Sequence, residues 1–142
     1  MDTIVVGVDG SGGSRAALEW AFAEATRRGA SVKAVSVWQY PYIALAPAPL
    51  GGAVAPAVEM QHASEEALDT VLADVGIPDG VTVERVVKEG SAAHVLLAEA
   101  EGATLLVVGA RGHGGFTGLL LGSVATQCVN HAVVPTAVIP AH

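Results

Sequence analysis

Five short runs of apolar, mostly β-branched residues alternate with four segments whose apolar residues recur at helical spacing. The runs are Ile4–Val8, Val32–Trp38, Val81–Val87, Leu105–Val108 and Thr136–Ile139. Apolar on both faces, they fit strands of a sheet covered on both sides. The segments between them repeat one template: Leu18/Ala21/Phe22/Ala25, Leu68/Val71/Leu72/Val75, Ala93/Leu96/Leu97/Ala100 and Ala125/Cys128/Val129/Ala132. Each lays one apolar stripe on a helix facing the sheet. Gly29, Gly76 and Gly102 stand where the first three helices should stop. The order β-α-β-α-β-α-β-α-β predicts an α/β fold, with a doubly wound parallel sheet of strand order 3-2-1-4-5 flanked by four helices. Ligands of such sheets bind at the carboxyl ends of the strands beside the switch in strand order, here at Asp9 and Gly109.

Residues 1–142 are enough for one domain with one good core. Abundant Ala and Gly, with only 4% aromatic residues, suit close helix–sheet layers better than a β-sandwich. A formal charge of −7 argues against nucleic acid or an anionic membrane as partner. Residues 34–58 carry no formal charge, but Pro41, Pro47, Pro49 and Pro56 with Gly51 and Gly52 break any spanning helix. Cys128 is the only cysteine, which rules out an intrachain disulfide and fits a reducing compartment. The start, Met1-Asp2-Thr3, has no basic signal region, so a cytoplasmic location is expected. The Pro/Ala/Gly stretch 39–56 reads as a lid over the ligand mouth or as plain disorder.

The chemistry concentrates between Gly109 and Ser123, where a buried strand leads through a glycine-rich loop into the fourth helix. Glycines let several backbone N–H groups approach one anion, and the helix N-terminus adds positive partial charge. Ser123 is a suitable N-cap there, a phosphate ligand, or both. No Lys follows Gly122, so this is not a Walker A loop, and Thr117 stands where a dinucleotide fingerprint counted from Gly112 needs glycine. At the first turn, Asp9-Gly10-Ser11-Gly12-Gly13-Ser14 partly resembles the Ser-Gly-Gly loop of ATP pyrophosphatases but lacks their following Asp. Arg111 is the only formally charged side chain from Gly102 to His142. It is either a bidentate ligand of a triphosphate or a solvated loop residue.

The spacing that fits is Gly109-x2-Gly112-x9-Gly122-Ser123, and with it the chain resembles the universal stress protein family from Ile4 to Pro140. Ile4-Val5-Val6-Gly7-Val8-Asp9-Gly10-Ser11, Glu89-Gly90-Ser91, Leu121-Gly122-Ser123-Val124-Ala125 and Val134-Pro135-Thr136-Ala137-Val138 carry the rest of the likeness. Thr104 departs from it, since members commonly carry Asp there. The resemblance implies an adenine nucleotide alpha hydrolase-like fold and an ATP site, with or without Mg²⁺. The backbone of Gly109, Gly112 and Gly122 and the Ser123 hydroxyl would hold phosphates, with Arg111 and Val124 among the contacts. Asp9 would face the adenine and ribose, Val37 would lie against the base, and Gly90 would line the floor. Read from the residues alone, the alternatives are a helix cap or turn residue for Asp9 and a core residue for Val37.

These features predict a nucleotide-dependent regulatory protein rather than a catalyst. The alternative is a slow ATPase or autophosphorylating protein using the same site, for which only Asp9 or His113 could act as base. A third reading, an interaction module without nucleotide, would suit a broken motif, and the motif is intact. The histidines lack metal-ligand spacing, so a metal would have to bridge triphosphate and Asp9. The last strand, Thr136–Ile139, would be an unpaired edge, and the resemblance implies a homodimer through it.

Overall fold

The strand-forming runs around Ile4, Val32 and Leu105 end up in the middle of this molecule because both their faces find a helix layer. The computed structural model describes residues 2–40, 56–112 and 120–141. They form β1 (Thr3–Gly7), α1 (Gly12–Arg28), β2 (Ser31–Trp38), α2 (Ala57–Val75) and β3 (Val83–Glu89), then α3 (Ala92–Glu99), β4 (Leu105–Gly109), α4 (Ser123–His131) and β5 (Thr136–Ile139). All pairings are parallel and the strand order is β3-β2-β1-β4-β5, so the expected α/β class and topology hold. Residues 41–55, most of the expected loop, and 113–119, which include His113, lie outside the described residues.

Successive strand side chains point to opposite faces, and this splits the core in two. Ile4 and Val6 of β1 and Leu105 and Val107 of β4 pack with Leu18, Ala21 and Phe22 of α1 and Leu68 and Leu72 of α2. Val5, Leu106 and Val108 face the other way, onto Val95 and Leu96 of α3 and Ala125 and Cys128 of α4. Leu18, Leu68, Leu72 and Leu106 are fully buried, each contributing about 1.5–3 kcal/mol. On α1, Ser11 caps the N-terminus by accepting from the Ser14 N–H at 3.2 Å. Gly29 ends the helix in the left-handed conformation (φ 68°, ψ 30°) that a Cβ would disfavour.

Four expectations need correction. Strand β3 is an edge strand, not one covered on both sides; Glu84, Arg85, Lys88 and Glu89 are exposed and its valines half-buried. Helix α3 stops at Ala100, and Gly102 takes its positive φ of 80° two residues later, in the turn. Gly122, rather than Ser123, is the N-cap of α4, and Ser123 is its first helical residue. Val129 is 48% exposed, because α4 is only nine residues long and buries just Ala125 and Cys128.

Candidate functional site

The sheet brings the carboxyl ends of β1 and β4 side by side, with Ile4, Val5 and Val6 paired to Leu105, Leu106 and Val107. Beyond β1 the chain turns tightly into α1. The Asp9 carboxylate accepts from the Ser11 N–H at 2.9 Å and the Ser11 hydroxyl at 2.5 Å. The Ser14 hydroxyl accepts from the Asp9 N–H at 3.2 Å and donates to the Ser11 carbonyl at 3.1 Å. The turn is therefore a hydrogen-bonded unit, and the cap-or-turn role of Asp9 is realised.

Beyond β4 the backbone packs tightly onto that unit. A Cβ on Gly109 would stand 2.7 and 2.8 Å from backbone atoms of Gly13, and one on Gly112 would stand 2.6 Å from Asp9 Oδ2. Real Cβ atoms do not approach so closely; at Gly109 the obstacle is backbone and glycine is required by space, whereas at Gly112 the Asp9 carboxylate would have to turn aside. Their φ angles are not positive. The Ala110 N–H donates to the Ile139 carbonyl at 2.8 Å, and the Gly122 N–H donates to the Ala110 carbonyl at 2.6 Å. Gly122 therefore spends its N–H on closing the loop. The donors left for a ligand at this end are the first-turn N–H groups of α4 that follow it.

A cavity of about 390 Å³ opens between these ends, within the size range of small-molecule sites. Of the sequence-predicted residues, Asp9, Val37, Gly109, Arg111, Gly112, Gly122, Ser123 and Val124 line it. Gly90 does not; it lines an adjoining cavity of about 320 Å³, which shares Val37, Ala92, Ser123 and Val124 with the first. The sequence reading missed Gly7, Val8, Ser11, Val35, Ala92, Leu96, Val108 and Ala125 as lining residues. Most of these read simply as core, since the cavity is a gap at the end of the apolar layer and carries the same residue types.

Charge is unevenly placed. Arg15, Arg27, Arg28, Lys33, Arg85 and Lys88 each have a carboxylate partner. Arg111, the seventh basic side chain, stands on the cavity lining with no ion pair among the described residues. Among the described residues, Asp9 is the only carboxylate on that lining. Among the described residues no three His, Cys, Asp or Glu side chains group as a metal site, and no helix is long and apolar enough to cross a membrane.

The family model for the universal stress protein family matches residues 1–140. A universal stress protein of Mycolicibacterium smegmatis is 39% identical over 142 residues, covering 96% of this chain and 45% of that protein. The chain thus spans less than half the length of the curated relatives it matches. Among solved structures, a universal stress protein in complex with cAMP superposes with a TM-score of 0.65 at 26% identity, covering 99% of this chain and 98% of the other. The Archaeoglobus fulgidus universal stress protein in complex with dAMP gives a TM-score of 0.67 at 21% identity, with 98% of both chains covered. With its strand order, its glycine spacing and this match over nearly its whole length, the chain belongs to the universal stress protein family.

Proposed function

We propose that this chain binds ATP in the cavity between β1, β4 and α4, and that occupancy regulates its shape or association. The observation that carries this is Arg111, which stands without an ion-pair partner among the described residues on the wall of a largely apolar cavity. A cation left unpaired beside a helix N-terminus is suited to an anion. Val8, Val35, Val37 and Val108 offer a planar base an apolar seat, while Arg111, Ser123 and the first-turn N–H groups of α4 receive the phosphates. The complexes of two universal stress proteins with cAMP and dAMP support adenine nucleotides as the ligand class.

Turnover is not part of this reading. Asp9 already accepts two hydrogen bonds from Ser11, which disfavours it both as a general base and as a ligand for Mg²⁺. Any metal would arrive with the triphosphate.

The reading includes a homodimer through β5. Four of the seven residues of the β3 edge are charged, whereas Thr136–Ile139 on the opposite edge carries no charge. Charged edges deter pairing and uncharged ones permit it. A lone buried thiol at Cys128 suits the reducing cytoplasm.

Mass spectrometry of the small molecules released when the purified protein is denatured tests the ligand class. ATP in stoichiometric amount is expected. Protein that carries no nucleotide and takes none up from an equimolar mixture of adenine nucleotides would count against the reading.

A further inference from the structure

We propose that Gly13, which does not itself line the cavity, is a positioning residue for Arg111. It fixes where the Arg111–Gly112 peptide lies and so where the guanidinium meets the phosphates. The inference rests on the nucleotide reading above.

The geometry separates Gly13 from its neighbour Gly12. A Cβ on Gly13 would stand 2.4 Å from the Arg111 carbonyl oxygen, whereas one on the adjacent Gly12 would meet nothing within 4 Å. A Cβ on Gly122 would stand 3.3 Å from Arg111 Cα and 3.6 Å from the Gly112 nitrogen. The Arg111–Gly112 peptide is therefore met closely by Gly13 at its oxygen and by Gly122 near its nitrogen. Just upstream, Ala110 is fixed at both of its backbone groups, to Ile139 and to Gly122. Displacement of the Arg111 carbonyl cannot pass back along the strand, so it falls on Arg111 and Gly112.

Ordinary carbon–oxygen approaches are about 3.3–3.6 Å, so a methyl group at Gly13 requires a shift of about 1 Å. Hydrogen bonds weaken steeply over such a distance. Inside a helix, Gly to Ala is ordinarily stabilising. A Gly13→Ala protein that folds yet holds phosphate poorly would therefore identify a cost confined to the loop.

The test is calorimetric titration with ATP and, separately, with adenosine of the wild type, Gly12→Ala, Gly13→Ala, Arg111→Gln and the Gly13→Ala/Arg111→Gln double variant. Gly12→Ala should match the wild type for both ligands. Gly13→Ala should lose about tenfold in ATP affinity, the scale of a charge-assisted hydrogen bond, and keep its adenosine affinity within about twofold. Arg111→Gln should show the same selective loss, and the double variant should lose no more than Arg111→Gln alone. The inference is overturned if Gly13→Ala binds ATP like the wild type, loses both ligands alike, adds its full effect to Arg111→Gln, or fails to fold. A wild type that binds no ATP sinks the nucleotide reading, and the inference with it. A wild type that binds, beside an unaffected Gly13→Ala, sinks the inference alone.

Discussion

Gly109 and Gly13 meet backbone to backbone: a Cβ on Gly109 would stand 2.7 Å from the Gly13 carbonyl carbon and 2.8 Å from its oxygen. No side-chain rotation relieves such a contact. Gly109→Ala should therefore cost about 1–3 kcal/mol, the scale of overpacking. In a domain of this size that lowers the melting temperature by roughly 4–12 °C. A thermal melt followed by circular dichroism checks it, and an unchanged midpoint would mean that the strand end tolerates the methyl group. Lost nucleotide binding in a variant at Gly109 would thus report on packing before it reports on a phosphate contact.

Most strands and helices are legible in the sequence because their period matches a burial pattern. Ile4, Val5 and Val6 lie between two helix layers, and Leu18, Ala21, Phe22 and Ala25 form one buried stripe. Less of the site could be read. The approach of Gly13 to Arg111 joins positions far apart in the chain and leaves no local mark on either. Ser123 looked like a cap by residue type, but the N–H of Gly122 closes onto Ala110 and shifts the cap back by one. Strand β3 reads as buried from its valines alone, whereas the charges between them follow from its place at the edge.

Glu99 joins α3 to the sheet, accepting from Lys88 Nζ at 2.5 Å and Lys33 Nζ at 3.3 Å. The Lys88 hydrogen bond, helped by Lys33 and opposed by burial, holds its carboxyl below the ordinary value of 4.5. A depressed native pKa gives stability that is fully present above the unfolded value and lost as pH falls through the native one. Glu99→Gln should be less stable than the wild type at neutral pH by roughly 1 kcal/mol, since Lys88 is half-exposed. That gap should shrink as the pH falls below 4.5. Urea denaturation at neutral pH and at about pH 3 measures it. A gap that stays constant would exclude the ion pair as its source.

Cys128 is fully buried on α4, and desolvation raises its thiol above the ordinary 9.0. The thiolate is the reactive form. A chromogenic disulfide reagent should therefore leave the native protein almost unmodified at neutral pH and label one thiol per chain in denaturant. Rapid labelling of the native protein would contradict the burial.

If β5 forms the subunit contact, a charge on that edge should separate the chains. Thr136→Lys is expected to give a folded monomer where the wild type sediments as a dimer. A wild type that stays monomeric at high concentration, or a dimer indifferent to this substitution, would place association elsewhere or remove it.

Calorimetric titration of nucleotide-free wild-type protein with ATP bears most directly on the central claim. One saturable site per chain, filled below millimolar ATP and weakening as salt is raised, is the predicted result, because Arg111 supplies an exposed charge to the phosphates. Absence of saturable heat up to millimolar ATP would contradict it.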